Sequence, residues 1–65
     1  GDLLFFKDDV VGTCYESETE GSIIWSGCIA VVLEKCKITN EILVLCNTQL
    51  LLVPFVNLRR FCKKL

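Results

Sequence analysis

The cysteines at 14, 28, 36, 46 and 62 are the side chains best suited to covalent or metal chemistry in this 65-residue chain. They lack the partners such chemistry needs. The chain has no His, so it can assemble neither a Cys–His nucleophile pair nor a Cys/His zinc site. No two cysteines stand at C-x-x-C spacing, and an odd number cannot all pair within one chain. Cys28, Cys36 and Cys46 lie in or beside apolar runs, where a thiol packs as a small hydrophobe. They read as reduced core residues of an intracellular protein, with a secreted disulfide scaffold as the competing reading. Asp8 and Asp9 are adjacent, so on a strand they would point to opposite faces and could not cooperate as acid and base. They are more simply a turn. The glycines at 1, 12, 21 and 27 are scattered and form no phosphate loop. The expectation is a protein without enzymatic activity, metal or cofactor.

Charge is divided along the chain. Residues 1–20 hold six carboxylates against Lys7, whereas residues 57–65 hold Arg59, Arg60, Lys63 and Lys64 and no acid. "RRFCKK" (59–64) interleaves those cations with Phe61, as a backbone-and-stacking site for nucleic acid would. Against that reading, the pI is about 5.2 and the acidic N-terminal third would repel phosphate. Two solvated tails, or two ends that attract each other, are the plainer accounts.

These residues need elements to position them. The chain is long enough for one domain, residues 1–65. It is 52% apolar with a mean hydropathy of +0.53, an excess that points to a covering partner, an adjacent domain or a second copy. It begins Gly1-Asp2 without Met, which reads as a piece of something longer. No stretch reaches the roughly 18 apolar residues of a membrane helix. There is one Ala, no Met and much Val, Ile, Leu and Phe in short runs, which favours strands. "LLFF" (3–6) is a first strand and "KDD" a turn. "VVGTCYE" (10–16) is a second, with a bulge at Gly12. "SIIWSGCIAVVLE" (22–34) is the longest, bent at Gly27. On it Trp25, Ile29, Val31 and Leu33 share one face, and Cys28, Ala30 and Val32 the other. "KCKITN" (35–40) is a connection, "EILVLC" (41–46) a strand and "NTQ" (47–49) a tight turn. "LLLVPFV" (50–56) is a strand that Pro54 must end, bend or place at an edge. "NLRRF" suits one helical turn before a last short strand. The fold class predicted is all-β, a small antiparallel barrel of about five strands, closed so as to remove exposed edges.

The order of these pieces resembles the Tudor family of SH3-like barrels. "GTCYESETEGSIIWSGCIAVV" gives an aromatic, a polar loop ending at Gly, then aromatic-x-Gly-x-apolar. "EILVLCNTQLLLVPF" gives two apolar strands around a short turn. "VPFVNLRRF" looks like the closing segment V-x-x-x-x-[LI]-R. Together they span about residues 12–61. The resemblance implies an aromatic cage for a methylated lysine or arginine at the barrel mouth, with Tyr15 and Trp25 as its first two walls. Positions that usually supply further aromatics hold Leu45, Cys46 and Leu50, and the turn holds neutral Asn47 and Thr48.

Trp25 therefore has two readings: a pocket wall beside Tyr15, with Glu16 or Glu18 supplying negative charge, or an inward-facing cap on the barrel with Ile29 and Val31. Phe5, Phe6, Phe55 and Phe61 read as core or interface. The function expected is a non-enzymatic module that binds a protein or a methylated histone peptide, within a nuclear, chromatin- or RNA-associated protein. The ligand-binding residues expected are Tyr15, Trp25, Glu16, Glu18 and Asn47. The alternative is a nucleic-acid-binding barrel using Arg59, Arg60, Lys63 and Lys64. No membrane partner is expected; an adjacent domain or homodimer is.

Overall fold

The computed structural model describes residues 2–17 and 19–65. It has strands β1 (Leu3–Phe6), β2 (Val10–Cys14), β3 (Gly21–Ile24), β4 (Ile29–Cys36), β5 (Glu41–Cys46) and β6 (Gln49–Pro54). A short helix α1 (Phe55–Phe61) and strand β7 (Cys62–Lys64) follow. All pairings are antiparallel, in the order β3-β2-β6-β5-β4-β1-β7. The chain is an all-β, barrel-like domain. Among the described residues there are seven strands rather than about five, and the sheet curls into a half-barrel whose ladder ends at β3 and β7 instead of closing.

The difference in strand number arises at one turn. The long strand predicted over 22–34 breaks at residues 25–28 into β3 and β4. Cys28 N–H donates to the Trp25 carbonyl at 3.2 Å, and Gly27 takes φ +89 at the third position of the turn. That is the conformation a type II turn requires, and glycine adopts it without a Cβ clash. Three further bonds fix the turn in place. Gly27 N–H donates to the Phe6 carbonyl at 2.7 Å, Phe6 N–H to the Cys28 carbonyl at 3.0 Å, and Ser26 N–H to Asp9 Oδ1 at 2.8 Å. The "KDD" segment is thus a turn, and one of its carboxylates anchors a second turn.

Alternation along the strands sets the core. Leu4 and Phe6 point in from β1, Ile42, Val44 and Cys46 from β5, Leu51 and Val53 from β6. Phe6, Ile24, Leu51, Val44 and Val53 have the largest fully buried side chains. On β4 the inward face is the smaller set, contrary to the capping role assigned to Ile29 and Val31. Ala30 is fully buried opposite Leu4, with Cys28 and Val32 packed on the core, while Ile29 and Leu33 are exposed.

The bulge falls in β4, between Val32 and Glu34, and not at Gly12. β2 keeps regular register with β3 through Gly12. Gly12 instead lets β2 approach β6 closely: a Cβ there would lie 3.4 Å from Leu51, Leu52 and Val53 atoms.

Pro54 ends β6, and α1 starts at once, so Phe55 and Val56 are helical rather than extended. Leu58 is the helix's buried anchor. Its last turn carries Arg59 and Arg60, which suit the negative end of the helix dipole. β7 then pairs with β1. No helix among the described residues is long and apolar enough to cross a membrane.

Candidate functional site

The β5–β6 hairpin turns through Asn47 and Thr48, with φ of 50 and 64, between the paired Cys46 and Gln49. Two successive positive φ values make a type I′ turn, whose twist matches that of the strands. At the other end of β5, residues 37–40 turn the chain back, with Asn40 at φ 57. That turn sets Cys36 opposite Glu41 and Glu34 opposite Leu43. Leu43 in turn pairs with Leu52. Glu34, Glu41, Leu43 and Leu52 therefore share the outer face of the sheet.

Tyr15 completes this arrangement. Its N–H donates to the Leu50 carbonyl at 3.0 Å just beyond β2, and its half-exposed ring borders the same face. Tyr15, Glu34, Cys36, Thr39, Glu41, Leu43 and Leu52 line an open cleft of about 330 Å3. Its floor is leucine, one wall is an aromatic ring, and the opposite side carries two carboxylates. Cys36 lies there too, half-buried rather than in the core. Its thiol pKa is held below the ordinary value, chiefly by a hydrogen bond from the Thr39 side chain and then by the Thr39 amide. Cys62 is the opposite case, pushed up to about 11 by burial. Cys46 is also raised, by burial and then by the neighbouring Cys28. All five cysteines are free thiols.

The other residues expected at the site lie elsewhere. Trp25 is 59% exposed, so it caps no interior. It also stands apart from Tyr15. β2 and β3 pair from Thr13 opposite Gly21 to Val10 opposite Ile24. Tyr15 follows one end of that ladder and Trp25 the other, roughly 20 Å apart at about 3.3 Å per residue. Asn47 sits toward the Trp25 turn, its amide 4.0 Å from Cys28 Sγ. Glu16 borders a separate recess with Cys14, Thr48, Gln49 and Leu50. Glu18 lies outside the described residues. Arg59 and Arg60 are exposed on α1, and Lys63 and Lys64 on β7. The Arg60 guanidinium sits 5.6 Å from the Phe61 ring centre, and Lys64 pairs with Asp2 at 3.3 Å.

Of the residues expected at a ligand site, Tyr15 lines this cleft, and Glu34, Cys36 and Glu41, which line it too, were not among them. The available signal was the turn "KITN" between "LEKC" and "EILV", which reads as a hairpin once β4 is carried to Cys36. Among the described residues no group of His, Cys, Asp and Glu side chains is placed to hold a metal ion. Comparison with protein families, with curated proteins and with solved structures finds no match.

Proposed function

We propose that the chain is a non-enzymatic, Tudor-like interaction module that binds a basic peptide side chain, methylated lysine or arginine being the favoured form. The observation that carries this reading is the cleft formed by Tyr15, Glu34 and Glu41 over Leu43 and Leu52. An alkylated cation has an apolar surface for the leucine floor, and its charge suits both the ring face and the carboxylates. An exposed cation–ring contact contributes about 0.5–1 kcal/mol, and the carboxylates add to it. The order of motifs over residues 12–61 supports the same class. The setting proposed is a nuclear, chromatin- or RNA-associated protein.

Calorimetric titration with methylated histone-tail peptides tests the reading. Tyr15→Ala should weaken binding several-fold, and Glu34→Gln with Glu41→Gln should do the same. Trp25→Ala should leave it unchanged. Binding that depends on Trp25 and is indifferent to Tyr15 would overturn the assignment of the cleft.

One observation favours a second reading. Arg59, Arg60, Lys63 and Lys64 are all exposed along α1 and β7, where they could follow a nucleic-acid backbone. A gel shift that weakens with salt and is lost in Arg59→Ala/Arg60→Ala would support it.

A further inference from the structure

A groove runs between α1 and the β1 and β4 strands. Leu4, Val32, Ile42 and Leu58 form its floor with Phe55, and Lys35, Arg59 and Lys64 stand on its rim with Asp2. Lys35 is brought there by the bulge at Leu33, which sets it opposite buried Ile42. Asp2 is already engaged by Lys64, which leaves Lys35 and Arg59 as a cationic pair over an apolar floor. Such a floor raises the strength of any ion pair formed across it, because water is partly excluded.

The complementary surface is on the same chain but at the other end of the molecule. Glu16 and Glu20 are exposed; Glu20 N–H donates to the Ser17 carbonyl at 3.1 Å and Cys14 N–H to the Glu20 carbonyl at 2.9 Å. Glu16 lies beside Thr48 and Gln49, at the far end of the β5–β6 hairpin from the groove. The length of β5 separates the two, roughly 17 Å at about 3.4 Å per residue. Glu16 and the groove thus belong to separate recesses of the same copy.

We infer that the chain self-associates head to tail, the acidic loop of one copy docking through Glu16 and Glu20 on the Lys35 and Arg59 rim of the next. The apolar floor favours a protein segment over a nucleic-acid backbone. The contact joins two different surfaces, so it leaves one of each free and grows beyond a dimer unless a ring closes. It does not depend on the peptide reading, whose readout is binding at Leu43 and Leu52.

Sedimentation velocity on the intact chain tests it. The sedimentation coefficient should rise with concentration at low salt and fall to the monomer value near 1 M salt, where the screening length is about 3 Å. Lys35→Gln/Arg59→Gln and Glu16→Gln/Glu20→Gln should each weaken association at least tenfold while keeping the circular dichroism spectrum of the parent. Mixed together, each supplies the surface the other lacks, so the pair should form one-to-one dimers and nothing larger. A monomer at all concentrations overturns the proposal. So does association that persists in 1 M salt, a mixture that fails to pair, or a groove that retains DNA without self-association.

Discussion

Thr48 shows how one residue can sit against its own preference. It occupies the left-handed region at φ 64, where a β-branched side chain is disfavoured by about 1–2 kcal/mol. The type I′ turn demands this conformation, and Asn-Gly meets the demand best. Thr48→Gly should therefore raise stability by about 1 kcal/mol, read as a higher urea midpoint with unchanged slope. The cysteines make a second case at this scale. The Cys36 thiol pKa is lowered by Thr39, while that of Cys62 is pushed to about 11. Alkylation of the native protein near neutral pH should label Cys36 well before Cys62 or Cys46. Burial of the neutral Cys62 thiol also makes stability fall as pH rises. The unfolded thiol ionises first, so the contribution is complete below the ordinary thiol pKa and is lost by about pH 11. A Cys62→Ala variant should show a flatter loss of stability over that window.

At the scale of elements, the positions of most strands were legible from alternation and turn residues. β1 and β5 lie where the apolar runs and polar breaks put them, and the tight turn after β5 is Asn47-Thr48 alone, with Gln49 already in β6. The single long strand over 22–34 was not resolved into two, because apolar character continues through Trp25 and only Ser26-Gly27 marks the turn. Gly27 did signal a bend; what the sequence alone did not expose is the role of Asp9, whose carboxylate accepts the Ser26 N–H from across the fold. Losing that bond should matter: Asp9→Ala is expected to destabilise by about 0.5–1.5 kcal/mol, measured by thermal or urea unfolding. The candidate site was half legible for the same reason. Tyr15 follows from local pattern, whereas Glu34 and Glu41 come together only through the register of β4 against β5. Ending β4 at Glu34 hid that register. The helix begins two residues before "NLRRF" because Pro54 ends the strand, although Phe55 and Val56 continue its apolar run in sequence.

At the scale of the whole molecule, the apolar excess has a location. Leu3, Val31, Leu45 and Leu50 are successive cross-strand neighbours on the outer face, and Ile29 and Leu33 are exposed on the same strand as Val31. The hydrophobic surplus thus lies beside the Tyr15 cleft as well as inside the half-barrel. The cleft's leucine floor is continuous with this face, which would give the proposed peptide an apolar track alongside the cleft. Mapping backbone amide shifts during titration with a trimethyl-lysine histone-tail peptide tests this most directly. The cleft assignment requires shifts that saturate at Tyr15, Glu34, Glu41, Leu43 and Leu52 and vanish in Tyr15→Ala. Saturating shifts confined to Trp25 and its turn, or none at the cleft with any methylated lysine or arginine peptide, would contradict it.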